Sequence, residues 1–447
     1  MRDPIEQQRD ESGNKKPGTR ALLVTAPKHT VAKEVAIDHI EELELLVETY
    51  GIPTVAKVVC PLRKFVAATL LTSGKLEEVK QKGIEAEADL IIFDDEITPG
   101  QQRNLEKFFN LPVMDRTEVI LEVFAQRAHS KEARLQVELA RIKYQLPRLK
   151  RLWTHLGRQT GTGGAGGVGG GGGAGAYLKG EGEKQIEIDR RIIKKRIDKL
   201  QDDLKEVNAH RETVRAARMR SSIPICALVG YTNAGKSTLM NALTEAGVFV
   251  EDKLFATLDT TTRKFVMANH QEVLLIDTVG FIRKLPHHLV AAFRSTLEES
   301  VYADILLHVV DASNHAAAEQ ADTTVQVLKE LGAGKKPMIT IINKVDVPGS
   351  SGMAARIRTL YPRTVQVSAI EKRGFEDLEE LIVEELQRQR KVVNLRIPQS
   401  EYSVVTEVMR VGHVLEKDYA DNDVLLKVEL TSEWADRLQK YRDNTQE

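Results

Sequence analysis

The sequence predicts a multidomain α/β chain with a helical hairpin set into it, and three observations carry that prediction. Short apolar runs alternate with helical stretches from Arg20 to about Asp115. A different pattern follows, in which apolar residues recur every three or four positions. Strand and helix alternation then resumes at Ile223, and a short strand-rich tail closes the chain after about Gln389. Strands that alternate with helices imply parallel sheets with helical crossovers. A chain of 447 residues exceeds what one ordinary core organises, so several domains are expected.

In the first α/β domain (20–130, after a polar start at 1–19) the strands are ALLVTA, TVAKVVC, LIIFDD and LPVMD. Helices are expected at Val31–Tyr50, Lys75–Lys82 and Pro99–Phe109. The polar first residues, with Pro and Gly, read as a disordered start. Thr72-Ser73-Gly74-Lys75 lacks the first glycine of a phosphate loop and reads as a helix cap. In the second region (131–220), Leu135, Leu139, Ile142, Leu146, Leu149 and Trp153 form one narrow stripe, and Ile193, Ile197, Leu200, Leu204 and Val207 form another. Two such stripes of similar length suit the seam of an antiparallel helical hairpin. Pro147 is expected to kink or locally unwind the first helix.

Between the helices, residues 161–175 contain eleven glycines in fifteen positions. A segment with so few side chains to pack is expected to be a mobile tip. The region 131–220 holds 21 Lys and Arg against 11 Asp and Glu, while the whole chain has a net charge of −1. The surplus is therefore local, and a basic rod with a flexible tip suggests a polyanionic partner.

Composition narrows the class further. Charged residues make up 29% and apolar residues 42% of the chain, a soluble balance. The longest apolar runs fall short of the roughly 18 residues a bilayer span needs, so no membrane span is expected. The N-terminus has no apolar signal core. Cys60 and Cys226 sit in apolar contexts and read as buried thiols rather than a disulfide or a metal pair. A reducing, cytoplasmic location is the expectation, with the chain a monomer.

The chemistry lies in the second α/β domain (221–390). Gly230-Tyr231-Thr232-Asn233-Ala234-Gly235-Lys236-Ser237, followed by Thr238, is G-x4-G-K-S between a strand (ICALVG) and a helix. Backbone N–H groups of such a loop, and the helix N-terminus behind it, face phosphates. Lys236 is expected on the β- and γ-phosphates and the Ser237 hydroxyl on Mg²⁺. Asp277-Thr278-Val279-Gly280 ends the strand EVLLIDT. Asp277 stands where a water-mediated Mg²⁺ ligand belongs, and the Gly280 N–H would sense the γ-phosphate. Asn343-Lys344-Val345-Asp346 ends MITIINK. A carboxylate at 346 can accept from guanine N1–H and N2–H₂, a donor pair that adenine lacks. Asn343 would support the base and loop, the Lys344 stem would cover the base, and Ser368-Ala369 would offer a backbone N–H to guanine O6. The order of these elements implies a GTP site. Phe255-Ala256-Thr257-Leu258, running on to Arg263, is expected to be the first switch segment. Either Thr257 or Thr261 would complete the Mg²⁺ shell, and Thr257 is favoured. Catalysis is assigned to Lys236, Thr257 and Gly280. Phe281 stands where many GTPases place a water-orienting Gln, so slow intrinsic hydrolysis is expected. His287-His288 reads as an exposed loop, His308 as a core strand residue, and Trp153 and Trp434 as packing groups. In the tail (391–447), KVVNLRIP, HVLEKDY and DVLLKVEL read as strands, with helices capped by Ser400 and Ser432.

Beyond the nucleotide motifs, Phe93-Asp94-Asp95-Glu96-Ile97-Thr98-Pro99-Gly100-Gln101-Gln102-Arg103-Asn104-Leu105-Glu106, Leu135–Ala140, Tyr144–Leu149 and Gly182–Arg191 resemble the signatures of the HflX GTPases, as do GYTNAGKST and FATLD. The resemblance covers roughly Ala21 to Gln389. It implies an N-terminal α/β domain, a helical hairpin and a P-loop GTPase domain, to which the chain adds its small α+β tail. It also implies binding to the large ribosomal subunit, RNA and proteins together, with the hairpin tip directed towards the peptidyl-transferase region. Splitting or rescue of stalled ribosomes under stress, with hydrolysis stimulated by the ribosome, is implied as well. Lys179-Gly180-Glu181-Gly182-Glu183 replaces the family's Arg-Gly-Pro-Gly-Glu run, the Gly tract is longer, and Thr260 stands where Pro is common. Two other readings fit the residues: a signalling switch whose rod docks a protein, and an RNA-remodelling NTPase centred on the first domain.

Overall fold

In the computed structural model, described residues are 18–62, 64–159, 191–209, 213, 223–244, 254–255, 257–258, 260–284, 299–420 and 422–443. Residues 1–17 of the polar start, the Gly tract, Lys179–Glu183 and His287-His288 lie outside them. The chain divides into two compact units: Met1–Glu206 with Glu251–Asp259 and Lys284–Arg294, and Val207–Val250 with Thr260–Arg283 and Ser295–Glu447.

The first unit is built on β1 (Ala21–Thr25), α1 (Lys33–Tyr50), β2 (Thr54–Val59), α2 (Ser73–Glu85), β3 (Leu90–Phe93), α3 (Pro99–Phe109) and β4 (Val113–Asp115). The strands form a parallel sheet in the order β2-β1-β3-β4. Every residue of β1 and β3 is buried, as continuous apolar runs in a parallel sheet should be. Pro99 opens α3 behind a capping box between Thr98 and Gln101, which satisfies two N–H groups that the first turn leaves over. Helix α2 starts after Thr72 as expected, without a side-chain cap bond. A further helix, α4 (Arg116–Arg127), follows β4 directly, its first turn capped by Asp115. Its largely buried sequence RTEVILEVFAQR gives it little amphipathic periodicity to read.

Helix α5 (Lys131–Gln159) runs through Pro147 without unwinding. Pro147 and Lys143, whose carbonyl the proline leaves without its usual donor, both lie at exposed positions, so water can replace that bond. Residues 191–209 form α6, and Arg196 of α6 donates to Glu138 of α5 at 2.5 and 2.9 Å. The apolar stripe of α5 is only half the story. Ala133, Val137, Ala140 and Tyr144 are buried on a second stripe, and this face packs on α4. Tyr144 Oη donates to the buried Asp115 at 2.7 Å. Arg148 pairs with the same carboxylate at 3.0 Å and donates to the Ile97 carbonyl at 2.9 Å. Arg141 pairs with Glu122 at 2.8 Å. Several charges that sequence assigns to a free basic rod are thus internal to the first unit.

The second unit contains β5 (Ile225–Gly230), α7 (Lys236–Thr244), β6 (Thr261–Val266), β7 (Glu272–Asp277), β8 (Ile305–Asp311), α8 (Ala317–Glu330), β9 (Met338–Asn343), α9 (Ser350–Leu360), β10 (Thr364–Gln366) and α10 (Phe375–Gln389). The sheet order is β10-β9-β8-β5-β7-β6, parallel except for β6. That antiparallel edge strand starts inside the expected switch segment, at Thr261, and runs past its end at Arg263 to Val266. Its apolar content is too low to mark it, because its partner β7 supplies the buried face. The tail follows as β11 (Arg390–Pro398), α11 (Tyr402–Val411), β12 (His413–Ala420), β13 (Asp423–Thr431) and α12 (Ser432–Arg437), with an antiparallel sheet in the order β11-β13-β12. Neither serine caps as expected. A 3-10 turn at Gln399–Glu401 carries Ser400, Glu401 precedes α11 without a side-chain cap, and Ser432 is itself the first residue of α12. Trp434 packs against the tail core with the Arg437 guanidinium 4.9 Å from its ring centre.

Candidate functional site

Burial of β5 between β7 and β8 fixes where the chain must leave the sheet, at Gly230. From there the loop is tied to itself and to the end of β7. The Thr232 N–H donates to the Phe281 carbonyl at 2.7 Å, and the Phe281 N–H donates to Gly230 at 3.0 Å. The Tyr231 hydroxyl accepts from the Arg283 N–H at 2.6 Å. Phe281 is itself 1% exposed, so its ring faces the core, and only its backbone serves the loop. The Arg283–Tyr231 contact was not foreseeable from motif spacing.

Asn233 and Gly235 turn the loop with positive φ, 61° and 91°. At Gly235 no side chain fits, because a Cβ would stand 2.3 Å from the Asn343 amide. Gly280 is as tightly placed. A Cβ there would approach the Thr232 Cα to 2.8 Å and the Lys236 amine to 3.0 Å. Both glycines are therefore demanded by close approach, whatever else they do.

Lys236 is 6% exposed. Its Nζ donates to the carbonyls of Tyr231 at 2.8 Å and Gly230 at 3.2 Å. Burial lowers its pKa to about 8, against a smaller upward pull from Asp277. The Ser237 hydroxyl donates to Asp277 at 2.6 Å, so two hard oxygen donors are already side by side. Thr238 sits in the first turn of α7. Thr278 is fully buried and bonds the Leu228 carbonyl at 2.7 Å, and Val279 is buried beside it. Thr261 lies opposite Asp277 in the β6–β7 ladder.

Asn343 is the clamp between two loops. Its Nδ2 donates to the Ala234 carbonyl at 3.0 Å, and its Oδ1 accepts from the Ala369 N–H at 3.1 Å. The N–H that sequence reserves for guanine O6 is thus engaged with Asn343 here. Ser368, fully buried, holds that loop through paired backbone bonds with Arg373. Lys344 has φ 60° and pairs with Asp311 at 2.8 Å. The Asp346 Oδ1 is buried without a hydrogen-bond partner. Such an acceptor is costly unless a donor completes it. Behind the loop, His308 is fully buried and burial brings its pKa down to about 4, so the ring is neutral. Cys60 and Cys226 are both free and buried, as expected.

Of the first switch segment, Ala256 lies outside the described residues, and Phe255, Thr257 and Leu258 group with the first unit. Phe255 and Leu258 are each 2% exposed, and the Phe255 ring meets Phe124 edge-on at 4.6 Å. Their side chains are spent on packing, a role that sequence position did not indicate.

A strand–G-x4-G-K-S–helix unit, a D-x-x-G strand end and an N-K-x-D strand end on one mainly parallel sheet define a P-loop GTPase. Residues 37–125 match the family described as GTP-binding GTPase N-terminal, residues 127–218 the GTP-binding GTPase middle region, and residues 225–344 the 50S ribosome-binding GTPase. A GTPase HflX of Chlamydia pneumoniae is 45% identical over 95% of this chain and 88% of its own, and one of Akkermansia muciniphila is 44% identical over 94% and 96%. The chain belongs to the HflX GTPases, and it binds and hydrolyses GTP. A crystal structure described as SsGBP in complex with GDP is 26% identical, covers 82% of this chain and 98% of that one, and has a TM-score of 0.45. No helix among the described residues is long and apolar enough to cross a membrane.

Proposed function

We propose that this GTPase acts in the cytoplasm, as a monomer, on the large ribosomal subunit, where it splits or rescues stalled ribosomes under stress. The description of residues 225–344 as a 50S ribosome-binding GTPase supports the partner. So does the local excess of positive charge in 131–220, which suits RNA phosphates.

At the site, Asp346 reads guanine through N1–H and N2–H₂, and its buried, unpartnered oxygen is the observation that carries this assignment. Asn343 braces the phosphate loop against the Ser368-Ala369 loop. The backbone of Gly230 to Thr238 cradles the phosphates, with Lys236 on the β- and γ-oxygens. Ser237 and Asp277 fit Mg²⁺, which prefers oxygen donors and few protein ligands. When bound, that ion would neutralise charge on the phosphates. Thr257 would join it in the GTP state, and Gly280 would donate its N–H to the γ-phosphate. With Phe281 turned into the core, this chain lacks a side chain at 281 to orient the attacking water. Hydrolysis should therefore depend on the ribosome. Purified large subunits are expected to raise GTP turnover by an order of magnitude or more. A basal rate unchanged by subunits would reject the ribosomal reading.

A further inference from the structure

Because the Phe281 ring lies in the core, a group that aims water at the γ-phosphate must come from another position. One side chain of the phosphate loop has no task so far. Thr232 is 6% exposed, and its Oγ1 is buried without a hydrogen-bond partner. A buried hydroxyl left unpaired costs free energy, and native structures keep few of them. Other buried threonines here avoid that cost. Thr278 donates to the Leu228 carbonyl at 2.7 Å, and Thr324 donates to the Gln320 carbonyl at 3.0 Å. The Thr232 hydroxyl finds no such acceptor among the described residues.

Its surroundings put Thr232 at the end of the site where the γ-phosphate is expected. A Cβ on Gly280 would stand 2.8 Å from both Cα and Cγ2 of Thr232 and 3.0 Å from Lys236 Nζ. Thr232, the phosphate-binding amine and the glycine whose N–H would meet the γ-phosphate therefore border one small space. Three bonds hold that arrangement. The Thr232 N–H donates to the Phe281 carbonyl at 2.7 Å, and the Phe281 N–H donates to the Gly230 carbonyl at 3.0 Å. Two residues on, the Arg283 N–H donates to the Tyr231 hydroxyl at 2.6 Å. The backbone on both sides of the space is thus fixed, and the Thr232 hydroxyl remains for a ligand.

We infer that the Thr232 hydroxyl orients the attacking water, the task that a Gln at position 281 performs in many GTPases. This rests on the γ-phosphate lying between Lys236 and Gly280, as proposed above. The hydroxyl accepts one O–H of the water and turns a lone pair of the water towards the γ-phosphorus. The water oxygen then bonds to phosphorus. The bond from phosphorus to the β–γ bridging oxygen breaks, and its electron pair stays on GDP. The water proton leaves with the phosphate that is formed. A threonine hydroxyl is too weak a base to take that proton, so it positions the water and exchanges nothing with it. Water in this place also gives the buried hydroxyl its missing partner. A single hydroxyl leaves room for stimulation by the ribosome, which the proposed function requires.

The test is single-turnover hydrolysis of GTP with Mg²⁺ by the full-length chain in excess over nucleotide. Affinities for GDP and for a non-hydrolysable GTP analogue are measured beside it. Thr232→Val keeps the branched shape and removes the hydroxyl. Hydrolysis is expected to fall about ten- to a hundredfold, while both affinities stay within about twofold of the parent. Thr232→Ser restores the hydroxyl and should hydrolyse GTP within about fivefold of the parent. The urea midpoint of Thr232→Val should equal or exceed the parent's, because an unpaired buried hydroxyl has been removed. A Thr232→Val protein that hydrolyses GTP at the parent's rate overturns the assignment, as does a Thr232→Ser protein as slow as Thr232→Val. A clearly lower urea midpoint for Thr232→Val would make the hydroxyl a structural bond and also overturn it. If the parent fails to bind guanine nucleotides, the site reading is overturned, and the role of Thr232 with it.

Discussion

In the proposed site two side chains carry the recognition chemistry, and each makes a measurable demand. Asp346 offers a buried oxygen without a partner, which the proposed reading fills with the donor pair of guanine. Asp346→Asn should lower GTP affinity and favour xanthosine nucleotides, whose base presents an acceptor where guanine has N2–H₂; a competition assay reads the change. Lys236 is held to a pKa of about 8 by burial. A phosphate beside it favours the charged form, so binding above pH 8 must take up a proton. Between pH 7.5 and 8.5, affinity for GDP is expected to fall about threefold on this account. The expected sign is uptake, visible as a dependence of binding heat on the ionisation enthalpy of the buffer. Release of protons, or a flat profile, would contradict the buried-lysine account.

At the scale of elements, α5 is the instructive case. Its sequence shows a narrow stripe and a basic surface, from which a free-standing hairpin arm follows. The helix instead uses two faces, one towards α6 and one towards α4. The second is secured by polar groups that periodicity overlooks. Asp115 is fully buried, and burial drives its pKa up against the opposing pull of Arg148. Removing Arg148 would leave that carboxylate with Tyr144 and backbone donors alone. Arg148→Ala should therefore cost about 2–4 kcal/mol of unfolding free energy, measured by urea denaturation, while GTP binding persists. Loss of less than about 0.5 kcal/mol would show that the pair is as dispensable as an exposed one. The edge strand β6 and the buried helix α4 escaped sequence reading for opposite reasons. The first is too polar to mark itself, and the second is apolar on too many sides to show a period.

For the whole molecule, the proposed division of labour is a nucleotide switch in one unit and a basic helical arm rooted in the other. Deleting residues 161–175 should leave GTP affinity within twofold of the parent, because that stretch holds none of the nucleotide motifs. It should sharply reduce the stimulation of hydrolysis by large subunits. Equal stimulation of the deleted and parent proteins would make the Gly tract a plain connection between helices.

What the amino-acid sequence determined by itself is the local chemistry. Three nucleotide motifs, the order of α/β elements and the identity of the family are legible because each depends on residues adjacent in the chain. A glycine-rich turn followed by Lys236 and Ser237 has the same meaning wherever the strand before it packs. The tertiary structure alone decided which partner each long side chain takes. Arg148 neutralises Asp115 across 33 positions and Lys284 reaches Asp94 across 190. Charge and hydropathy along a chain state what a residue can offer. Which acceptor it meets depends on how distant strands are ordered in a sheet, and short-range pattern holds no record of that.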